Sequence, residues 1–215
     1  MHIQSFSDVR SKIIISSLIA ISSLALCLPA MAHHPFGGDS PTNAMEGFLS
    51  GLGHPVIGLD HLAFVITIGL LAAIFNRGLF IPVTFVLASL LGTGIHLSNV
   101  ELPAPEFFIA SSVLVFGLLL AVKTSLPTGA MVLLTGMAGM FHGYAYGEAV
   151  VGAEMSSLIA YLVGFSAIQT AISISAYLLA KKLGASSDAK PLNLRFAGFT
   201  LAGIGVAFLS ATVLG

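Results

Sequence analysis

Apolar segments of about 20 residues recur along nearly the whole 215-residue chain. A helix of that length crosses a hydrocarbon layer about 30 Å thick, because each residue rises about 1.5 Å along the axis. Only 8% of the residues are charged, whereas soluble domains carry about 25%. The sequence therefore predicts an all-α, polytopic membrane protein surrounded by a lipid bilayer, with no stretch left for a separate soluble catalytic domain.

The N-terminus has the three parts of a secretory signal peptide. Arg10 and Lys12 precede an apolar stretch at 13–28, and Ala30-Met31-Ala32 forms an A-x-A cleavage site. We expect cleavage after Ala32, and an uncleaved first membrane helix is the alternative. Cleavage would remove the one cysteine of the chain, so any metal site must use imidazole, carboxylate or backbone oxygen.

Six apolar segments follow the signal peptide. We divide the chain into a cleavable signal peptide (1–32), a periplasmic N-terminal segment (33–53) and a domain of six transmembrane helices (54–215). Turn and breaker residues separate the segments. The predicted spans are 55–75, 79–98, 106–123, 128–147, 156–180 and 196–214.

The charged residues indicate the direction of the spans. Signal cleavage would place the mature N-terminus in the periplasm, so the first, third and fifth loops would face the cytoplasm. The outward loops contain acidic residues and no Lys or Arg. Because positive charge favours the cytoplasmic side, this pattern predicts a multi-pass protein of the bacterial inner membrane. The basic residues of the inward loops are Arg77, Lys123, Lys181, Lys182, Lys190 and Arg195.

The first predicted span opens with the motif HPVIGLDH at 54–61. Ionisable side chains inside a membrane are costly and usually functional. On one continuous helix His54 and His61 would share a face about two turns apart, and Asp60 would ligate metal or orient an imidazole. We expect Pro55 in the first turn, with His54 as the helix cap. A helix end anchored among lipid headgroups is the alternative interpretation.

Four more candidate metal ligands lie near span ends. His142 is in the fourth span, His96 ends the second, Glu106 opens the third and Glu148 follows the fourth. Three of them have a structural alternative: His142 as a core histidine bonded to a carbonyl, His96 as an interfacial histidine, and Glu106 as a carboxylate stabilising a helix N-terminus.

The mature N-terminus adds a further candidate. His33 and His34, with the new α-amine, would form a metal chelate at the surface. With the topology above, all six mature histidines lie towards the periplasm. The inner half offers weaker oxygen ligands, and such a gradient would allow capture followed by release. These oxygen ligands are Thr67, Ser166, Gln169 and Ser173.

The ligand types limit the metal. Imidazole without thiolate suits nickel, cobalt or zinc better than copper(I). Glycines also recur within the spans, and we interpret them as sites of close helix packing, with helix interruption beside an ion path as the alternative. They are Gly92, Gly94, Gly117, Gly136, Gly139, Gly203 and Gly205.

At these motifs the sequence resembles the HupE/UreJ family, small permeases associated with hydrogenases and ureases. The likeness rests on HPVIGLDH, on LPAPEFFIASSVLVFGLLLA at 102–121 and on FHGYAYGE at 141–148. The family motif commonly reads H-G-x-A-H-G-x-E, and here Tyr146 replaces the second histidine. The resemblance implies uptake of nickel or cobalt across the inner membrane. It implies a metal path that includes His54, Asp60, His61, His142 and Glu148, with Glu106 as an acidic position after the second span.

Other functions stay open at this point. A metal-binding accessory or sensor protein would use the same residues without transport. A haem electron carrier would use His61 and His142 as axial ligands, and an intramembrane hydrolase would need a serine–histidine constellation that we do not find. We expect no enzymatic activity, no tightly bound cofactor and, with a net charge of −1, no nucleic-acid partner. The sequence is compatible with a homo-oligomer.

Overall fold

The computed structural model describes residues 40–122 and 126–215. Within these ranges the chain forms seven α helices and no strand, so the all-α prediction is confirmed for this part of the protein. The proposed signal peptide lies outside the described residues. The helices are α1 (Ala44–Ile57), α2 (Leu59–Ala72), α3 (Phe80–Leu97), α4 (Pro105–Ala121), α5 (Thr128–Glu148), α6 (Met155–Lys182) and α7 (Leu192–Leu214).

Several helices are suited to a membrane. By length and hydropathy α3, α6 and α7 could each cross one, and α1 with α2 adds a fourth candidate if the pair is one broken span. Helix α4 is apolar but shorter, at 17 residues. Large apolar side chains such as Leu87, Leu91 and Phe196 are exposed on the helix surfaces. So much exposed apolar surface suits lipid rather than water, as expected of a multi-pass membrane protein.

The first predicted span differs from the structure. In place of one helix at 55–75 there are two, and they meet at a bend of 79°. Pro55 lies near the end of α1, not in a first turn, and His54 is in the last turn of that helix. The expected cap at His54 is therefore wrong.

Helix α1 begins ten residues before His54, where side-chain hydrogen bonds cap its first turn. The Asn43 side chain accepts a hydrogen bond from the Glu46 N–H at 3.0 Å. In return the Glu46 carboxylate accepts one from the Thr42 N–H at 2.8 Å. This exchange resembles a capping box and satisfies N-terminal donors that would otherwise lack partners.

Glycines set the close packing of the helix pairs. A Cβ at Gly51 would meet the Tyr161 carbonyl, so α1 and α6 approach backbone to backbone. A Cβ at Gly143 would meet the backbone of Ser89, which places α3 equally close to α5. The same contact joins α4 to α7 at Gly117. Close backbone approach of this kind is how membrane helices associate.

The packing interpretation holds for some of the predicted glycines and not for others. Gly92, Gly117, Gly139 and Gly205 each lie against a neighbouring helix, where a Cβ would come within 3 Å of its atoms. A Cβ at Gly94 or Gly203 would meet nothing within 4 Å, and one at Gly136 would make only an ordinary contact at 3.4 Å.

The direction of the helices follows from these contacts. Along α1 and α6 the paired positions rise together, from Gly47 with Ser157 to Gly51 with Tyr161, so the two helices are parallel. Helices α3 and α5 are parallel by the same test. Helices α4 and α7 are antiparallel, because Gly117 meets Ala202 whereas the later Ala121 meets the earlier Gly198.

Two basic side chains close the C-terminal end of α4. The Lys190 ammonium donates to the carbonyls of Leu119, at 3.0 Å, and Val122. Arg195 Nε donates to the Ala121 carbonyl at 3.0 Å. Partial burial lowers the pKa of Lys190, and the charge of Arg195 lowers it further. These cations therefore donate to carbonyls at the helix end, and their positive charge stabilises the negative end of the helix dipole.

Candidate metal centre

The break between α1 and α2 lies at Gly58. Its N–H donates to the His54 carbonyl at 3.1 Å, and its carbonyl accepts from the Leu62 N–H at 2.8 Å, so both helix ends stay hydrogen-bonded. The Gly58 φ of −70° is open to any residue. Space is what requires glycine, because a Cβ here would stand 2.6 Å from His61 Cδ2.

This break lies beside the middle of α6. Before the break in the chain, Gly51 of α1 packs against Tyr161, and after it Gly69 of α2 packs against Ser173. Helix α6 has 28 residues and is therefore about 42 Å long. The helix is thus broken about halfway along α6, and transporters use broken helices of this kind to bind ions.

Three buried imidazoles meet at the break. His54 from α1, His61 from α2 and His142 from α5 are 3%, 1% and 0% exposed. The ring centroids of His54 and His61 are 5.7 Å apart, and those of His61 and His142 are 4.9 Å apart. The sequence correctly paired His54 with His61, but the shared helix face that we expected is wrong. The bend at Gly58 brings them together.

Tyr161 fixes the proton on His54. Its hydroxyl donates to the Tyr146 carbonyl at 2.8 Å and lies 3.0 Å from His54 Nδ1. A carbonyl can only accept, so the single hydroxyl proton is already used. His54 Nδ1 must therefore carry the proton and donate it to Tyr161. In the neutral ring the lone pair is then on Nε2.

Ser112 fixes the protons on the other two rings in the same way. Its hydroxyl donates to the Ile109 carbonyl at 2.7 Å, so the contact of 2.9 Å with His142 Nε2 must be donated by the histidine. The lone pair of His142 is then on Nδ1. This atom lies 2.8 Å from His61 Nδ1 and accepts its proton, which leaves the lone pair of neutral His61 on Nε2.

Both hydrogen-bond relays therefore present the same ligand atom. In their neutral forms His54 and His61 each carry the lone pair on Nε2, and neutral imidazole is the form that binds a divalent metal. Metal–nitrogen bonds of about 2 Å place a metal about 3 Å from each ring centroid, so two ligating rings have centroids at most about 6 Å apart. The observed 5.7 Å fits two imidazoles on one ion. Within the described ranges no three His, Cys, Asp or Glu side chains are grouped as a metal site.

Asp60 lies beside this pair in the first turn of α2. Its Oδ1 accepts a hydrogen bond from the His61 N–H at 2.8 Å, and the side chain is partly buried. The carboxylate therefore satisfies one N–H in the first turn of α2 and holds the backbone of His61. It also supplies a negative charge next to the two imidazoles.

The other predicted ligands lie elsewhere. His96 packs against Tyr144, with ring centroids 4.5 Å apart, and its Nδ1 has no hydrogen-bond partner among the described residues. Glu106 and Glu148 are exposed, at the start of α4 and the end of α5. His33 and His34 lie outside the described residues.

Two residues that the sequence did not single out, Ser112 and Tyr161, orient the imidazoles. Both are polar groups buried in apolar helices, and in lipid such groups need a partner. The sequence shows that these polar side chains lie in apolar helices, but it does not show which imidazole each one contacts.

The geometry does not fit a bis-histidine haem. Two axial bonds of about 2 Å would hold the ligating nitrogens about 4 Å apart, on opposite sides of a flat macrocycle. The facing Nδ1 atoms of His61 and His142 are 2.8 Å apart and share a proton. No porphyrin can lie between them without the helices separating.

The chain is similar to one known family of proteins. The family model described as HupE / UreJ protein matches residues 20–208. Protein HupE of Rhizobium leguminosarum bv. viciae is 31% identical over 153 residues, which cover 70% of this chain and 76% of that protein. No solved structure matches.

Proposed function

Because this chain belongs to the HupE/UreJ family, we propose that it is an inner-membrane permease for a divalent transition metal, nickel or cobalt. One observation carries the proposal: His54, His61 and His142 converge, almost fully buried, where a membrane helix is broken. Burying three polar rings in a membrane bundle is costly unless they serve a function.

The proposed topology has six spans, with α1 and α2 together as the first. Parallel packing of α1 with α6 and of α3 with α5, and antiparallel packing of α4 with α7, support a chain that reverses direction at every loop. The described basic residues then collect at one end of the bundle. By the positive-inside rule this end is cytoplasmic and the N-terminus is periplasmic.

In this proposal the ion sheds water and binds Nε2 of His54 and His61. The C-terminal end of α1 carries partial negative charge that favours a cation, and the Asp60 carboxylate offsets the ionic charge. His142 holds the His61 ring in position through their hydrogen bond. For His142 to bind the ion directly, that bond must break.

Metal accumulation tests this function. Cells or right-side-out vesicles containing the protein should accumulate nickel or cobalt, and competition with zinc should identify the preferred ion. We expect His61→Ala and Asp60→Asn to abolish uptake with membrane insertion unchanged. His96→Ala, a histidine outside the cluster, is the matched control and should reduce uptake less.

The alternative is a metal-binding accessory or sensor protein that does not transport. It predicts that purified protein binds nickel through His61 while vesicles accumulate none. Full uptake by well-inserted His61→Ala and Asp60→Asn variants would reject the proposed site.

A further inference from the structure

Beside the imidazoles lies a second group of buried polar atoms, poorly satisfied within the part of the chain that the structure describes. The Tyr146 hydroxyl and both amide atoms of Gln169 have no hydrogen-bond partner among the described residues. Both side chains are 0% exposed. An amide buried without partners costs several kcal/mol, and a bilayer offers no water to relieve it.

These atoms face one another at the break. The ring of Tyr146 packs against both His54 and His61, with centroid distances of 5.0 and 4.6 Å. Its hydroxyl faces the Gln169 side chain and lies within the electrostatic influence of the Asp60 carboxylate. Helices α2, α5 and α6 therefore each contribute one oxygen-bearing side chain to the same region.

Gln169 differs in its hydrogen bonding from other oxygen-bearing side chains of α2 and α6. Thr67 donates its hydroxyl to the Ala63 carbonyl at 2.6 Å, and Ser173 donates to the Thr170 carbonyl at 3.1 Å. Such bonds to the preceding turn are a common resting state for membrane hydroxyls. Gln169 has no such bond, and its carbonyl can coordinate a cation.

We infer that Gln169 Oε1 and the Tyr146 hydroxyl form a second, oxygen-only station for the divalent metal ion, next to the two imidazoles. This inference rests on the proposed function. Gln169 is two helical turns beyond Tyr161 along α6, on the inward side in the proposed topology. Oxygen ligands hold late transition metals less tightly than imidazole does, so an ion passing from His61 to Gln169 moves from strong to weak ligands, as release requires.

The test is Gln169→Met, which keeps the volume and removes the polar atoms. Removing an unsatisfied amide should raise the Tm of the purified protein, while nickel or cobalt uptake should fall about tenfold or more. Gln169→Glu retains an oxygen ligand and should keep measurable uptake. The control is Ser157→Ala, because Ser157 Oγ is also buried without a partner among the described residues but lies at the outer end of α6; its uptake should be unchanged.

Comparing the Gln169 and His61 variants distinguishes failure of the second station from failure of the proposed permease function. Normal uptake by Gln169→Met, with uptake abolished in His61→Ala, would overturn the second station and leave the permease intact. Loss of uptake with a raised Tm would support the station, because a merely structural glutamine cannot produce both changes. If the unmodified protein accumulated no metal, the proposed function and this inference would fail together.

Discussion

The substitution Gly58→Ala places one methyl group at the centre of the candidate site. The added Cβ would stand 2.6 Å from His61 Cδ2, 3.3 Å from Asp60 Oδ1 and 3.4 Å from the His54 carbonyl oxygen. Carbon atoms pack at about 3.5–4.0 Å. The His61 ring must therefore shift by about 1 Å.

That shift cannot be absorbed cheaply. The ring is bonded to His142 at 2.8 Å and packs against Tyr146 with a centroid distance of 4.6 Å. Displacing a ligand by breaking such a support typically costs 10–100-fold in metal affinity or activity. The backbone at Gly58 is not strained by alanine, since its φ is −70°, so the displaced His61 ring is the source of the expected loss.

We therefore expect Gly58→Ala to insert normally, to unfold at a somewhat lower temperature, and to lose about 10–100-fold in metal affinity. Nickel binding to purified protein and uptake into vesicles are the measurements. Gly94→Ala is the matched control, because its Cβ would meet nothing within 4 Å. Unaltered metal binding by Gly58→Ala would refute the geometry that places His61 in the site.

Three further substitutions test the supports of the site and of the fold. Tyr161→Phe removes the acceptor of His54 Nδ1–H, so we expect about 1–2 kcal/mol less stability and weaker nickel binding by calorimetry. Ser112→Ala leaves His142 Nε2–H without its acceptor and should weaken metal binding, whereas Ser112→Thr, which restores a hydroxyl, should recover part of it. Lys190→Met removes hydrogen bonds to two carbonyls at the end of α4 and should lower the free energy of unfolding by about 1 kcal/mol, with metal affinity unchanged.

Hydropathy and turn residues were enough to predict where the helices from α3 onward begin and end. Helices α3 to α6 begin and end within two residues of the predicted spans, and α7 begins four residues earlier than predicted. A membrane imposes this regularity, because every backbone polar group must be satisfied within its own helix and the helix must match the bilayer. The same logic failed at 44–58, where glycines and an acidic residue reduce the mean hydropathy although the segment packs tightly on α6.

The candidate ligands divide along the same line. The sequence alone identifies the candidate ligands, because burying an imidazole or a carboxylate within an apolar run costs free energy and is unusual. These candidates are His54, Asp60, His61 and His142. Which of them meet is a different matter. It depends on the bend at Gly58 and on how α5 packs against α2, contacts between residues about 80 positions apart.

Only the tertiary structure decided the protonation of the rings and the unsatisfied state of Gln169. Both depend on which backbone carbonyls and hydroxyls stand within about 3 Å, and local sequence does not encode that distance. The chain by itself determined that it crosses a membrane as helices and carries costly imidazoles. Helix packing brought His54, His61 and His142 together, because it places groups from separate helices within bonding distance.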